Sequence, residues 1–290
     1  MNNTKVAIVI TDKRPAKEYF ELNDGLLESL NLFKKNIEIE VFTYTEQMNT
    51  MVTPKYSINF RNTLKALDFV INKRFEPDVV IAVGDPNFNY EKIFTDKYKK
   101  KILIHKGINY NKNIESYFDQ IIVETYQEEL NYKNSISASV VNTKLFKPKE
   151  SDKYFSVCYP QNITEDKKDF FEKIRFYGSV SQYIDSTVRL PLNSSIILAT
   201  IMNQSRVVCL LENDNSVEYA LSALSCNTPV VVSNDIKANN LPAVLKSNVS
   251  ITEFINKTYE ALNLRYNYHE EYIKPNYSPE KYSKLLMELI

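Results

Sequence analysis

The sequence predicts an α/β protein of two successive domains, each a parallel sheet flanked by helices, and three observations carry that prediction. Short continuous apolar runs of strand length, such as Lys5–Ile10, Asp78–Val83, Lys101–His105 and Pro229–Val232, alternate with helix-length segments. A polar, basic stretch with no apolar periodicity, Asn142–Lys153, separates one such series from a second. Leu210–Ser233 (LLENDNSVEYALSALSCNTPVVVS) reads as a complete β-α-β unit: strand, polar turn, amphipathic helix, stop and second strand. In that helix Val217, Leu221 and Leu224 form one apolar stripe. Asn215 and Glu218 are spaced as a capping box, Asn227 fits the left-handed position that ends a helix, and Pro229 prevents continuation.

In chain order, Lys5–Ile10 is a buried strand with Asp12 just past its end. Residues 17–35 carry apolar positions at helical spacing, Ile37–Phe42 is a strand, 44–57 are irregular and Phe60–Lys73 is helical. Asp78–Val83 ends in Gly84-Asp85-Pro86, Lys101–His105 ends in Lys106-Gly107, and Gln120–Val123 and Ile136–Val141 complete the first domain. Past the linker come strand Tyr154–Cys158, a helix capped by Thr164, strand Ile174–Tyr177 ending at Gly178, and an irregular stretch holding Arg189. Helix Asn193–Asn203 then leads into the β-α-β unit. Ile251–Leu264 is helical, 265–277 is loop-like and aromatic, and Ser278–Ile290 is a final helix.

Composition narrows the function classes. The chain of 290 residues has 36 basic and 36 acidic residues, so no strong overall field for polyanions is expected. Its three cysteines lack metal spacing and read as reduced thiols, and no apolar run reaches signal-peptide or membrane-spanning length, so a cytoplasmic location is expected. Only four glycines occur, and Gly84, Gly107 and Gly178 follow strands, where backbone approaches ligands closely in open α/β sheets. No zinc pattern, P-loop or nucleophile elbow is present, and Glu212-Asn213-Asp214 lacks metal-site spacing, so no metal or cofactor is required.

Two segments carry a resemblance. SALSCNTPVVVS resembles the EAMACGTPVVAS-type segment of GT-B glycosyltransferases of the retaining "group 1" class, and VVNTKLFKP (Val140–Pro148) resembles their NGVDTELFKP interdomain signature. The resemblance implies two Rossmann-like β/α/β domains, 1–147 on the acceptor side and 148–290 on the nucleotide-sugar side. It also implies a cleft between them and a final helix, 278–290, crossing back to the first domain. The family's ribose-binding glutamate falls on Ser222, the glutamate eight residues earlier on Asp214, the helix-ending glycine on Asn227, and the arginine expected after Cys158-Tyr159-Pro160-Gln161 is missing.

For the donor, the first turn Asn215-Ser216-Val217-Glu218 offers orphan backbone N–H groups and the positive end of the helix dipole to a diphosphate. Glu218 lies one turn from Ser222 and can take the ribose in its place. Lys167 and Arg189 are candidate cations for the leaving diphosphate, with Gly178 and Asp214 completing the donor-binding set. On the acceptor side Asp85, Asp12 and His105 stand at strand ends, where a base must take the acceptor proton. The implied activity is transfer of a sugar, UDP-glucose favoured, from a nucleotide diphosphate donor to an acceptor hydroxyl. Similarity in cadence to phage DNA base glucosyltransferases favours a modified DNA base as acceptor. Lys97, Lys99, Lys100, Lys101, Lys106 and Lys112 are the basic region to meet its phosphates. Two other readings are a transferase acting on a surface saccharide, lipid or protein, and a nucleotide-binding module that has lost catalysis.

Overall fold

The computed structural model describes residues 3–11, 24–44, 50–52, 57–61, 63–106, 110–160, 187–190, 195–212, 215–248 and 250–290. These fall into two compact units: 3–11, 27–139 and 282–290 form the first, 24–26 and 140–281 the second.

The first unit is built on strands β1 (Thr4–Ile10), β2 (Ile37–Tyr44), β3 (Thr50–Val52), β4 (Ser57–Arg61), β5 (Val79–Gly84), β6 (Lys100–His105), β7 (Gln120–Val123) and β8 (Ser135–Ser137). Their order in the sheet is β3-β4-β2-β1-β5-β6-β7-β8, parallel except for the antiparallel β3–β4 pair. Val6–Ile10 and Val79–Val83 are at most 1% exposed, as expected of central parallel strands covered on both faces. Short helices α1 (Asp24–Asn31), α2 (Leu64–Phe69) and α3 (Tyr126–Glu129) intervene, and α2 runs on into a π-helical turn, Val70–Phe75. Residues 44–57, read from sequence as irregular, contribute β3 and the first residue of β4, and Phe60–Arg61 belong to β4 rather than to a helix.

The second unit has a fully parallel sheet, β10 (Thr187–Leu190), β9 (Phe155–Pro160), β11 (Ser205–Leu210), β12 (Val230–Ser233) and β13 (Leu245–Ser247), in that spatial order. Helices α4 (Ser195–Gln204), α5 (Ser216–Ser225), α6 (Ile251–Asn263), α7 (Lys274–Tyr277) and α8 (Pro279–Leu289) follow. The core between α5 and the sheet contains Val217, Leu221 and Leu224, the stripe read from the sequence. Arg189 lies in β10, opposite Tyr159 of β9, and not in an irregular stretch; four residues are too few for periodicity to reveal a strand. Residues 265–277, read as loop, contain a π-helical turn, His269–Ile273, followed by α7. The helix expected after Thr164 and the strand at 174–177 lie outside the described residues.

Asn142–Lys153 has no regular structure, yet it is anchored to the second unit. Val141 and Phe146 are each 4% exposed in that unit's core. Asn142 Oδ1 accepts from the Lys144 and Leu145 amides, and Asn203 receives Lys149 N at 2.8 Å while donating to the Lys147 carbonyl at 3.1 Å. The division between units therefore comes at Ser139–Val140, upstream of the 147/148 division read from the sequence. Gly25, in the part of α1 grouped with the second unit, packs so closely on this segment that a Cβ there would meet Val140 and Val141 backbone atoms at 3.0 Å. Helix α8 begins in the second unit, and Tyr282–Ile290 belong to the first. Tyr282 is buried there, which pushes its hydroxyl pKa up, with Lys106 and Glu124 close enough to act on it in opposite senses.

Candidate functional site

In an open parallel sheet, ligands bind beyond the carboxyl ends of the strands, where strand order reverses. In the second unit the reversal lies between β9 and β11, and the helix leaving β11 is α5. Asn215 starts α5 in the left-handed region (φ 54°), with its carbonyl accepting Tyr219 N at 2.9 Å. Its side chain makes no cap bond, so the capping box expected with Glu218 does not form. The left-handed backbone turns the Asn215 side chain away from the geometry of an extended cap residue.

Five of the donor residues inferred from sequence come together on the first two turns of α5. Ser216 is 1% exposed and its Oγ accepts from Ala238 N at 3.3 Å, which braces the helix start against the 3-10 turn Lys237–Asn240. Val217 is buried in the core, so only its backbone can serve a ligand. Asn215 and Glu218 are partly exposed, and Ser222, one turn on, is 6% exposed. Of the others, the Arg189 backbone lies in β10, while Lys167, Gly178 and Asp214 lie outside the described residues.

The far end of α5 closes as a Schellman motif. Asn227 has φ 56°, its amide donates to the Leu224 carbonyl at 3.0 Å, and Thr228 N reaches the Ala223 carbonyl at 2.9 Å. Asn227 also does what a glycine cannot: its Oδ1 accepts from His269 N at 2.7 Å and its Nδ2 donates to Asn267 Oδ1 at 3.2 Å.

In the first unit, strand order reverses between β1 and β5, and the residues inferred for the acceptor side come at or just past the ends of these strands and of β6. Asp12 lies outside the described residues. Gly84 has φ 150°, open to glycine, and leads into the exposed Asp85. Asp85 Oδ1 accepts from Asn87 N at 2.8 Å and Nδ2 at 3.1 Å, an Asx turn. Tyr90 Oη donates to the Asp85 carbonyl at 2.9 Å and lies 3.1 Å from Thr11 Oγ1, tying the ends of β1 and β5 together. Asn111 Nδ2 steadies the same turn through the Pro86 carbonyl, at 3.2 Å.

His105 is 3% exposed, packed on Tyr132, with Nδ1 3.8 Å from Glu128 Oε1, beyond hydrogen-bond reach. Glu128 Oε2 accepts from Thr125 N and Oγ1 at 3.2 and 3.1 Å, forming a capping box over α3. Beside it, Lys106 and Glu124 form an ion pair of 2.7 Å whose side chains are 16% and 9% exposed. Sequence reasoning passed over Glu124, Thr125 and Glu128, although the Thr-x-x-Glu spacing was there to be read.

The six lysines do not form one basic region. Lys97, Lys99, Lys100 and Lys101 gather at the amino end of β6, while Lys106 and Lys112 follow its carboxyl end, about 20 Å away along a six-residue strand. Lys99 pairs with Asp78 at 2.7 Å, and Lys101 with Asp96 at 3.4 Å while lying over the Tyr117 ring. Among the described residues no group of three or more His, Cys, Asp or Glu is arranged to hold a metal, and no helix is long and apolar enough to cross a membrane.

Neither a protein-family model nor a curated protein matches the chain. Solved structures do. Sucrose-phosphate synthase from Thermosynechococcus elongatus is similar over 99% of this chain and 98% of its own, with TM-score 0.69 and 12% identity. Anabaena HepE, solved with UDP and glucose, matches with TM-score 0.63 and 10% identity, covering 97% and 98% of the two chains. The fold is GT-B. An alpha-glucosyltransferase solved with UDP and a 13-mer DNA shares this GT-B fold at TM-score 0.56 and 12% identity, over 99% and 96% of the chains.

Proposed function

We propose that this chain is a glycosyltransferase that moves a hexose from a UDP-linked donor, UDP-glucose in the first instance, to an acceptor hydroxyl. The observation that carries this reading is α5: its N-terminus opens beside the strand-order reversal of a GT-B fold, with no side-chain cap from Asn215. The first-turn amides of Ser216, Val217 and Glu218 take the donor diphosphate, stabilised by the helix dipole. Glu218 accepts from the ribose hydroxyls in place of Ser222, a charge-assisted pair of bonds. Lys167, Arg189, Gly178 and Asp214 complete the donor side.

On the acceptor side, Asp85 takes the proton. As the acceptor oxygen forms its bond to the sugar's anomeric carbon, the bond from that carbon to the diphosphate oxygen breaks. The acceptor proton passes to Asp85 Oδ2, since Oδ1 is held by the Asx turn, and UDP leaves with the bonding electrons. His105 and Asp12 are supporting acceptor-side groups.

The favoured acceptor is a modified DNA base, a reading supported by the DNA-bound neighbour of the same fold. A second reading, a saccharide, lipid or protein acceptor, is favoured by the dispersal and ion pairing of the lysines that would meet a DNA backbone. The test is a mass-spectrometric screen of UDP-sugars against modified DNA and saccharides, with UDP-sugar hydrolysis as the acceptor-free control. UDP binding without hydrolysis or transfer would instead identify a nucleotide-binding module, and absence of UDP binding would overturn the proposal.

A further inference from the structure

A recess of about 760 Å³ opens on the second unit, away from the proposed donor site. The most buried of its lining residues is His269, 5% exposed. His269 Nδ1 lies 2.7 Å from the Ser225 carbonyl, which can only accept, so Nδ1 carries a proton and Nε2 is the ring nitrogen that keeps a lone pair. The ring is held firmly: the backbone amide donates to Asn227 Oδ1 at 2.7 Å, and Ser225 Oγ stands 3.2 Å from Nδ1. His269 also opens a π-helical turn, a distortion often found at functional sites.

Three lysines and two glutamates line the recess. Lys144 and Lys147 come from the segment anchored beside the core, and Lys274 from α7. Lys274 pairs with Glu270 at 2.6 Å, and Glu280 also lines the recess. The start of α8 completes the rim, with Ser278 Oγ accepting from Lys281 N at 3.4 Å. Since α5 is ten residues long, its Ser225 end lies about 15 Å from its N-terminus.

We propose that this recess is a second, separate binding site for a phosphate monoester. Lys144 and Lys147 meet the phosphate charge, and His269 Nε2 shares a proton with one phosphate oxygen. Phosphate suits this set because its second ionisation falls near neutrality, at about 6, so the oxygen can donate to a neutral imidazole or accept from a charged one. The same chemistry fits free phosphate and a phosphorylated sugar.

The test is calorimetric titration of the full chain with inorganic phosphate and, separately, with glucose 6-phosphate, UDP being kept at saturation so that the α5 N-terminus is occupied. Should the chain not bind UDP, the same titrations without it still decide, because the variants lie only in the recess. Lys147→Glu, at an exposed position, is expected to weaken phosphate binding by about tenfold or more while leaving UDP affinity unchanged. His269→Gln is expected to weaken it comparably. Tighter binding of glucose 6-phosphate than of inorganic phosphate identifies the ester as the ligand, and equal affinity identifies the free anion. No phosphate binding at millimolar concentration, or wild-type affinity in Lys147→Glu, overturns the proposal. If His269→Gln fails to fold, Lys147→Glu alone decides.

Discussion

Glu218→Ala separates the two roles proposed for this residue. Glu218 stands in the first turn of α5, half-buried, three residues after a cap position whose side chain makes no cap bond. Its attraction to the helix dipole contributes about 0.3–1 kcal/mol, less than a closed capping box would. A ribose contact is worth more: a hydrogen bond to a charged group contributes about 1.5–3 kcal/mol, so its loss should raise the UDP dissociation constant about 10- to 150-fold. Titration calorimetry with UDP measures that, and thermal unfolding of the same variant measures the rest, a fall of no more than about 4 °C for a chain of this size. Ser222→Glu in the Glu218→Ala background should recover part of the affinity, because the two positions share a face one turn apart. A variant with lowered thermal stability and wild-type UDP affinity would refute the ribose assignment.

Asp85→Asn should keep the Asx turn, since the amide oxygen still accepts from Asn87 N, and should leave UDP binding intact. Its transfer rate should fall by about 10²- to 10⁴-fold if Asp85 is the base, and steady-state assays showing full turnover would remove it from the chemistry. Asn227→Gly should relieve a left-handed backbone yet cost about 1 kcal/mol net, because the His269 amide loses its acceptor; urea unfolding followed by circular dichroism checks this, and a more stable variant would contradict it. The three thiols should stay unreactive toward a disulfide reagent in the native protein at neutral pH. Burial pushes Cys158 and Cys226 up to about 12, and pushes Cys209 up as well. With folded values above unfolded ones, the thiols stay protonated in the native state while the unfolded chain ionises, so their contribution makes stability fall as pH rises above about 9. Unfolding midpoints measured across that range test the sign.

The central strands of both sheets and the whole of α5 were legible because burial on both faces writes continuous apolar runs, and an amphipathic helix writes a stripe. Strands β3, β4 and β10 were not legible: Thr50–Val52, Ser57–Arg61 and Thr187–Leu190 are short and mixed in polarity, and pairing rather than pattern defines them. The helical turns across His269–Tyr277 were hidden by Pro275 and by aromatic residues, which read as breakers and loop in a linear window. Asn142–Lys153 looked like a free linker because single apolar residues, Val141 beside it and Phe146 within it, suffice to anchor it when they reach a core. The same limit applies to the site. Spacing brought Asn215–Ser222 onto one helix correctly, but it gave no sign that Asn215 would adopt a left-handed backbone. Nor could it show that a six-residue strand would carry Lys106 to the opposite end of β6 from Lys101.

Asn227 has a consequence for how the chain is made. A glycine at a helix stop is content as soon as the helix exists, since everything it needs is local. Asn227 instead depends on Asn267 and His269, 40 and 42 residues downstream. Until those residues are in place, only the local bonds from the Asn227 and Thr228 amides offset the cost of the asparagine's left-handed backbone. The full set of bonds at this stop therefore forms only once residues 267–269 have been made and packed against it. A chain truncated before residue 267 should hold α5 less firmly than the full chain, and replacing Asn227 with glycine should erase much of the part of that difference that Asn227 carries.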